Sequence, residues 1–88
     1  MGLLEVHDLT AAIGAADAMA KAAPVSVDGP YTIGRGLVTI IARGDIASVT
    51  EAVAAGVLAA APLGKMRARH VIGRPSGEVD ALFGFNAR

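Results

Sequence analysis

The chain contains no cysteine and no tryptophan, and only 3 % of its 88 residues are aromatic. Without cysteine, disulfides, thiol chemistry and cysteine-ligated metals are excluded. Neither sign of charge is in excess. Eight Lys and Arg residues balance eight Asp and Glu residues, for a formal net charge of zero. That argues against a nucleic-acid partner, because affinity for a phosphate backbone rests on a surplus of Lys and Arg. Long hydrophobic runs are also missing. The longest uncharged stretch, Ala52 to Gly64, is interrupted by Gly56, Pro62 and Gly64, whereas a spanning helix needs about 20 apolar residues. No basic region precedes the first apolar residues, and Glu5 and Asp8 follow them closely, so no secretory signal is expected. Gly2 suggests a myristoylation site, but position 6 is Val where that motif requires Ser or Thr. The expectation is a soluble, cytoplasmic chain with no membrane partner.

What is present is apolar and small. Hydrophobic residues make up 53 % of the chain, the mean hydropathy is +0.53, and alanine is the commonest residue. The length fits one domain. Small side chains bury little area each, at about 25 cal/mol per Å², so such a core is marginal alone. The apolar excess is therefore expected in subunit contacts of an obligate oligomer.

The pattern along the chain predicts six main elements. Leu3 to Val6 is a short apolar run that periodicity alone cannot assign. Residues 9 to 23 are rich in helix formers, with Asp8 or Thr10 as the cap. Leu9, Ile13, Ala16, Ala20 and Ala23 fall on one face at helical spacing. Pro24 ends that helix. Val25, Val27 and Ile33 suggest a strand that Asp28-Gly29-Pro30 bends or places at an edge. Leu37 to Ala42 is the clearest strand, and a three-residue Gly34-Arg35-Gly36 turn before it completes a hairpin. Asp45 caps a helix from Ile46 to about Ala61, with Val49, Val53, Gly56, Val57 and Ala60 as its apolar stripe. Gly56 costs roughly 1 kcal/mol against alanine in a helix, which points to a close approach there. Pro62 and Gly64 stop the helix. Met66 to Ile72 alternates as a half-solvated strand, with Met66, Ala68, His70 and Ile72 on one face and Arg67 and Arg69 on the other. Residues 73 to 77 form a loop, and Glu78 to Phe85 a short helical turn. The order is β-α-β-β-α-β, a recurrent α+β motif.

Catalytic chemistry is sparsely represented. His7 and His70 lack a companion ligand pattern for a metal, and no nucleophile sits beside an evident base. The Gly34-Arg35-Gly36 turn lacks the Gly-x-Gly-x-x-Gly spacing and precedes a strand, whereas the dinucleotide motif requires a helix there. By spacing alone it is a hairpin turn with a solvated arginine. Arg43-Gly44-Asp45 matches an adhesion tripeptide, but reads better as a strand end followed by a helix cap.

Four stretches together resemble the hexameric shell proteins of bacterial microcompartments, the single-domain BMC family. They are residues 15 to 23 (Ala-Ala-Asp-Ala-Met-Ala-Lys-Ala-Ala), residues 33 to 39 (Ile-Gly-Arg-Gly-Leu-Val-Thr), Arg43-Gly44-Asp45, and residues 70 to 75 (His-Val-Ile-Gly-Arg-Pro). Each is weak alone, but the four occur in the family's order and spacing. The likeness spans residues 3 to about 80. It implies one BMC-type domain over residues 1–88, with a core at about 3–75 and a tail at 76–88. The fold would be a ferredoxin-like sandwich with a short C-terminal helix.

The resemblance also implies a flat homohexamer with a narrow axial pore, tiling with other shell proteins into facets around encapsulated enzymes in the bacterial cytoplasm. It places Gly34, Arg35 and Gly36 at the pore, and Lys21 and Arg74 at the tiling edge. It implies no catalytic residue, cofactor or metal. Many members carry Ser or Gly in the pore turn where this chain has Arg35, and Asn three residues after the edge lysine where it has Pro24. Six copies of Arg35 around one axis would favour small anionic metabolites. The pentameric vertex protein, a different β-rich fold, is excluded. The other function class is a small oligomeric α+β ligand-binding or regulatory module, since this motif hosts many functions.

Overall fold

The computed structural model describes residues 1–73. Four strands and two helices follow in the expected order: β1 (Gly2–His7), α1 (Leu9–Ala22), β2 (Ser26–Gly34), β3 (Leu37–Arg43), α2 (Ile46–Ala60) and β4 (Met66–Val71). A single 3-10 turn, Ala61–Leu63, extends α2, and Gly64 closes it in the left-handed conformation. The sheet is antiparallel throughout, in the order β2-β3-β1-β4. Both helices pack on one face, α1 beside α2, α1 also against β1, β2 and β3, and α2 also against β1, β3 and β4. This is the α+β ferredoxin-like sandwich. The short C-terminal helix expected at Glu78 to Phe85 lies outside the described residues.

Aspartates start both helices. Asp8 Oδ1 accepts from the Ala11 N–H at 2.8 Å, and Asp45 Oδ1 from the Ser48 N–H at 2.9 Å. Each satisfies a donor that the first helical turn leaves unpaired. Arg43 ends β3 and its Nε lies 3.2 Å from Asp28 Oδ2, so Arg43-Gly44-Asp45 is a strand end and a cap.

Leu4 and Val6 of β1 and Val38, Ile40 and Ala42 of β3 meet Ala12, Ala15, Met19, Val49, Ala52, Val53 and Ala60 of the helices in one core. Among the described residues, no aromatic side chain is one of its largest fully buried members. Small residues let the layers approach closely. A Cβ added to Gly56 would stand 2.9 Å from Leu4 Cδ2 and from Met19 Cγ and Sδ. The glycine thus admits two side chains rather than a backbone. Gly2 does the same beneath Val49 and Val53, where a Cβ would fall within 2.6 Å of both side chains.

Two expected faces differ in the structure. On α1 the buried residues are Ala11, Ala12, Ala15 and Met19, while Leu9 is 49 % and Ile13 58 % exposed. The larger side chains of the expected stripe point away from the core, because α2 approaches too closely for anything but alanine along most of the contact. On β4 the ladder shifts register. Met66 opposes Val6, but Ala68 opposes Glu5, leaving Arg67 over as a bulge. Opposed residues share a face. Met66 therefore joins the core side, whereas Ala68 and His70 lie with Glu5 and Leu3 on the other.

The helical run Ile46–Leu63 spans 18 residues and is apolar enough, by length and composition, to cross a membrane. Glu51 lies within it, so it is longer than the uncharged stretch Ala52 to Gly64. The helix spends its valines on the core, as a packed helix of a globular domain does, and leaves Ile46, Leu58 and Leu63 at least half exposed.

Candidate functional site

The hairpin between β2 and β3 is tighter than a three-residue turn. Gly34 pairs with Leu37 across the ladder, so the loop is Arg35-Gly36 alone. Their φ angles are 55° and 75°, and positive φ at both central residues is the requirement of a type I′ turn, whose twist matches that of the strands. Gly34, Arg35 and Gly36 are all exposed. Asn-Gly or Gly-Gly fills such a turn most easily. An L residue in the left-handed region costs roughly 1–2 kcal/mol, so the arginine occupies this tip against local preference.

The turn is fastened to two other elements. The Asp8 N–H donates to the Gly36 carbonyl at 2.9 Å, and the neighbouring His7 N–H donates to the Lys65 carbonyl at 2.7 Å. Asp8 Oδ2 accepts an ion pair from Lys65 Nζ at 3.2 Å. The Ala11 N–H first, and Lys65 second, hold the Asp8 carboxyl below the usual 3.8. Asp8 itself has φ 75° and ψ 153°, which L residues rarely adopt. The sequence offered Asp8 or Thr10 as the cap, and no residue type signalled this backbone conformation or the bond to the turn.

Lys21 lies in the last turn of α1, largely exposed, with Nζ 2.9 Å from Asp17 Oδ2. That hydrogen bond raises the ammonium above its usual 10.5. The Arg35 turn meets the start of α1 and Lys21 stands at its end. A helix of 14 residues separates them by about 20 Å at 1.5 Å per residue. The structure thus keeps the two expected sites apart. Arg74, the other expected edge residue, lies outside the described residues. His7 and His70 are both exposed, and among the described residues no three His, Cys, Asp or Glu side chains gather as a metal site.

The remaining surface carries isolated large apolar side chains: Leu9 and Ile13 on α1, Ile46 and Leu58 on α2, Leu63 beyond it and Val71 on the edge strand β4. Among the described residues β2 and β4 are the edges of the sheet, the kind of surface that accepts another chain.

Residues 1–75 match the family model described as the BMC domain. The chain is 49 % identical over 82 residues to the bacterial microcompartment shell protein PduA of Citrobacter freundii, covering 93 % of this chain and 88 % of that one. It is 43 % identical over 83 residues to the shell protein EutM of Escherichia coli (strain K12), covering 94 % and 86 %. To the carboxysome shell protein CsoS1 of Prochlorococcus marinus it is 42 % identical over 85 residues, covering 96 % and 82 %. Among solved structures, a microcompartment protein from Desulfitobacterium hafniense DCB superposes with a TM-score of 0.82 at 30 % identity. The match covers 91 % of this chain and 46 % of that one, so this chain spans about half of its length.

Proposed function

Because the chain belongs to the BMC domain family, whose curated relatives here are microcompartment shell proteins, we propose that it is a structural shell protein whose cyclic hexamers tile into facets and pass small anions through an Arg35-lined pore. The compartment would stand in the bacterial cytoplasm, with other shell proteins sharing the facet and enzymes enclosed behind it. Lys21 and Arg74 would serve the contacts between hexamers.

The observation that carries this reading is the position of Arg35, exposed at the tip of a two-residue turn that glycine would fill at lower cost. Six-fold symmetry would turn one arginine into a ring of six. Arginine stays protonated in proteins, and two unit charges about 6 Å apart repel by roughly 0.7 kcal/mol in water and by more beside protein. A ring of like charges selects ions of the opposite sign, as in channels. The exposed Leu9, Ile13, Ile46 and Leu58 support self-association, since a core built on alanine leaves the larger apolar side chains to subunit contacts.

The test is flux of a carboxylate solute into reconstituted shells. Arg35→Ser is expected to lower anion entry while shells still assemble. Unchanged anion entry would contradict the selectivity.

A further inference from the structure

Among the described residues only Asp8 and Arg35 are non-glycine residues with positive φ, and one hydrogen bond ties their segments together. The Asp8 N–H meets the Gly36 carbonyl, the residue next to Arg35, at 2.9 Å. Unusual backbone conformations persist only where their surroundings hold them, and they gather at functional positions. Asp8 is held from three directions: its N–H by the turn, Oδ1 by the Ala11 N–H, and Oδ2 by Lys65 Nζ.

The geometry explains why the conformation matters to the turn. β1 before Asp8 is fixed by ladders to β3 and β4, and α1 after it by packing on the sheet and α2. With both neighbours fixed, residue 8 reaches an ordinary negative φ only by rotating the His7–Asp8 peptide plane. That rotation swings the N–H away from Gly36. The side-chain contacts of Asp8 oppose the rotation.

We infer that Asp8 is a positioning residue for the Arg35 turn: its carboxylate, bound to the start of α1 and to Lys65, holds the backbone so that its N–H fixes the turn at Gly36. This deepens the pore reading above and rests on it for its functional consequence. It does not rest on it for its structural one.

Three variants separate positioning from simple helix capping. Asp8→Ala removes both side-chain contacts and keeps the Cβ that disfavours this backbone. Asp8→Gly removes the contacts and the Cβ together, so the backbone stays. Asp8→Asn keeps a capping oxygen for the Ala11 N–H and removes only the charge that pairs with Lys65. Hydrogen exchange at the residue 8 amide in the assembled protein is the first readout. Positioning expects about tenfold faster exchange in Asp8→Ala, with Asp8→Gly and Asp8→Asn close to wild type. Capping alone would leave Asp8→Gly no better protected than Asp8→Ala, and that result overturns the inference. So does a wild-type exchange rate in Asp8→Ala. If Asp8→Ala does not fold, protection in Asp8→Gly decides the matter by itself. The second readout is Arg35-dependent sulfate binding by titration calorimetry, expected to weaken in Asp8→Ala and to return in Asp8→Gly. A wild-type protein that binds no sulfate contradicts the anion pore, while exchange still decides the role of Asp8.

Discussion

The two helices lie side by side on the same sheet and bury opposite kinds of surface. α2 turns Val49 and Val53 inward, with Ala52, Gly56 and Ala60 completing its buried face. α1 turns three alanines and Met19 inward, and leaves Leu9 and Ile13 outside. α2 also leaves its largest aliphatic side chains, Ile46 and Leu58, outside, so the helices differ in what they bury rather than in what they expose. Most of the largest fully buried side chains come from β1 and β3, and each helix adds one, Met19 from α1 and Val49 from α2.

Substitutions on the two faces sharpen that contrast. Met19 is the one long side chain on the inner face of α1, so Met19→Ala should lower stability by about 3 kcal/mol, as core truncations do, in urea melts at fixed protein concentration. Gly56→Val should cost about 2 kcal/mol by overpacking against Leu4 and Met19; a variant of wild-type stability would contradict the close approach. Arg35→Gly should instead raise stability by roughly 1 kcal/mol, because it relieves a left-handed backbone, even as it removes the charge proposed to select anions. Ile13→Ser should change the melt of the unassembled chain by less than about 0.5 kcal/mol and weaken association, read by light scattering. A loss of stability as large as that of Met19→Ala would place Ile13 in the core.

Acid provides a further comparison, between the two helix starts. Asp8 and Asp45 both titrate below the usual 3.8, mainly through hydrogen bonds from backbone N–H groups of the first turn. A carboxylate whose folded value is depressed contributes stability that is fully present above its unfolded value and is lost as pH falls through the folded one. Stability should therefore be flat from neutrality down to about pH 5 as far as these groups decide it, and fall below pH 4. Asp8→Asn and Asp45→Asn should each flatten that fall in a pH series of urea melts.

The order of elements, the β3 strand, the Asp45 cap and most of the inner stripe of α2 were legible in the sequence, because propensity, capping chemistry and burial all agree there, whereas the cap of α1 stayed open between Asp8 and Thr10. The α1 stripe placed Ala16 and Ala23 against the core but failed at Leu9 and Ile13, because a 3.6-residue pattern groups residues on a face without ranking how deeply each is buried. Met66 and Ala68 separated because a bulge adds one residue to the strand, and period-two alternation has no signal for it. The Arg35 turn was legible as a turn, though not as a two-residue one. Its tie to Asp8 was not, because a residue's φ and its long-range backbone partner leave no mark on composition or spacing.

The measurement that tests the account most directly is the solution mass by light scattering, with electron microscopy of the same sample as concentration rises. The expected result is a mass of six subunits and six-fold discs that extend into sheets, the closed symmetry of a ring that then tiles. A monomer, dimer or trimer that never forms sheets would contradict it.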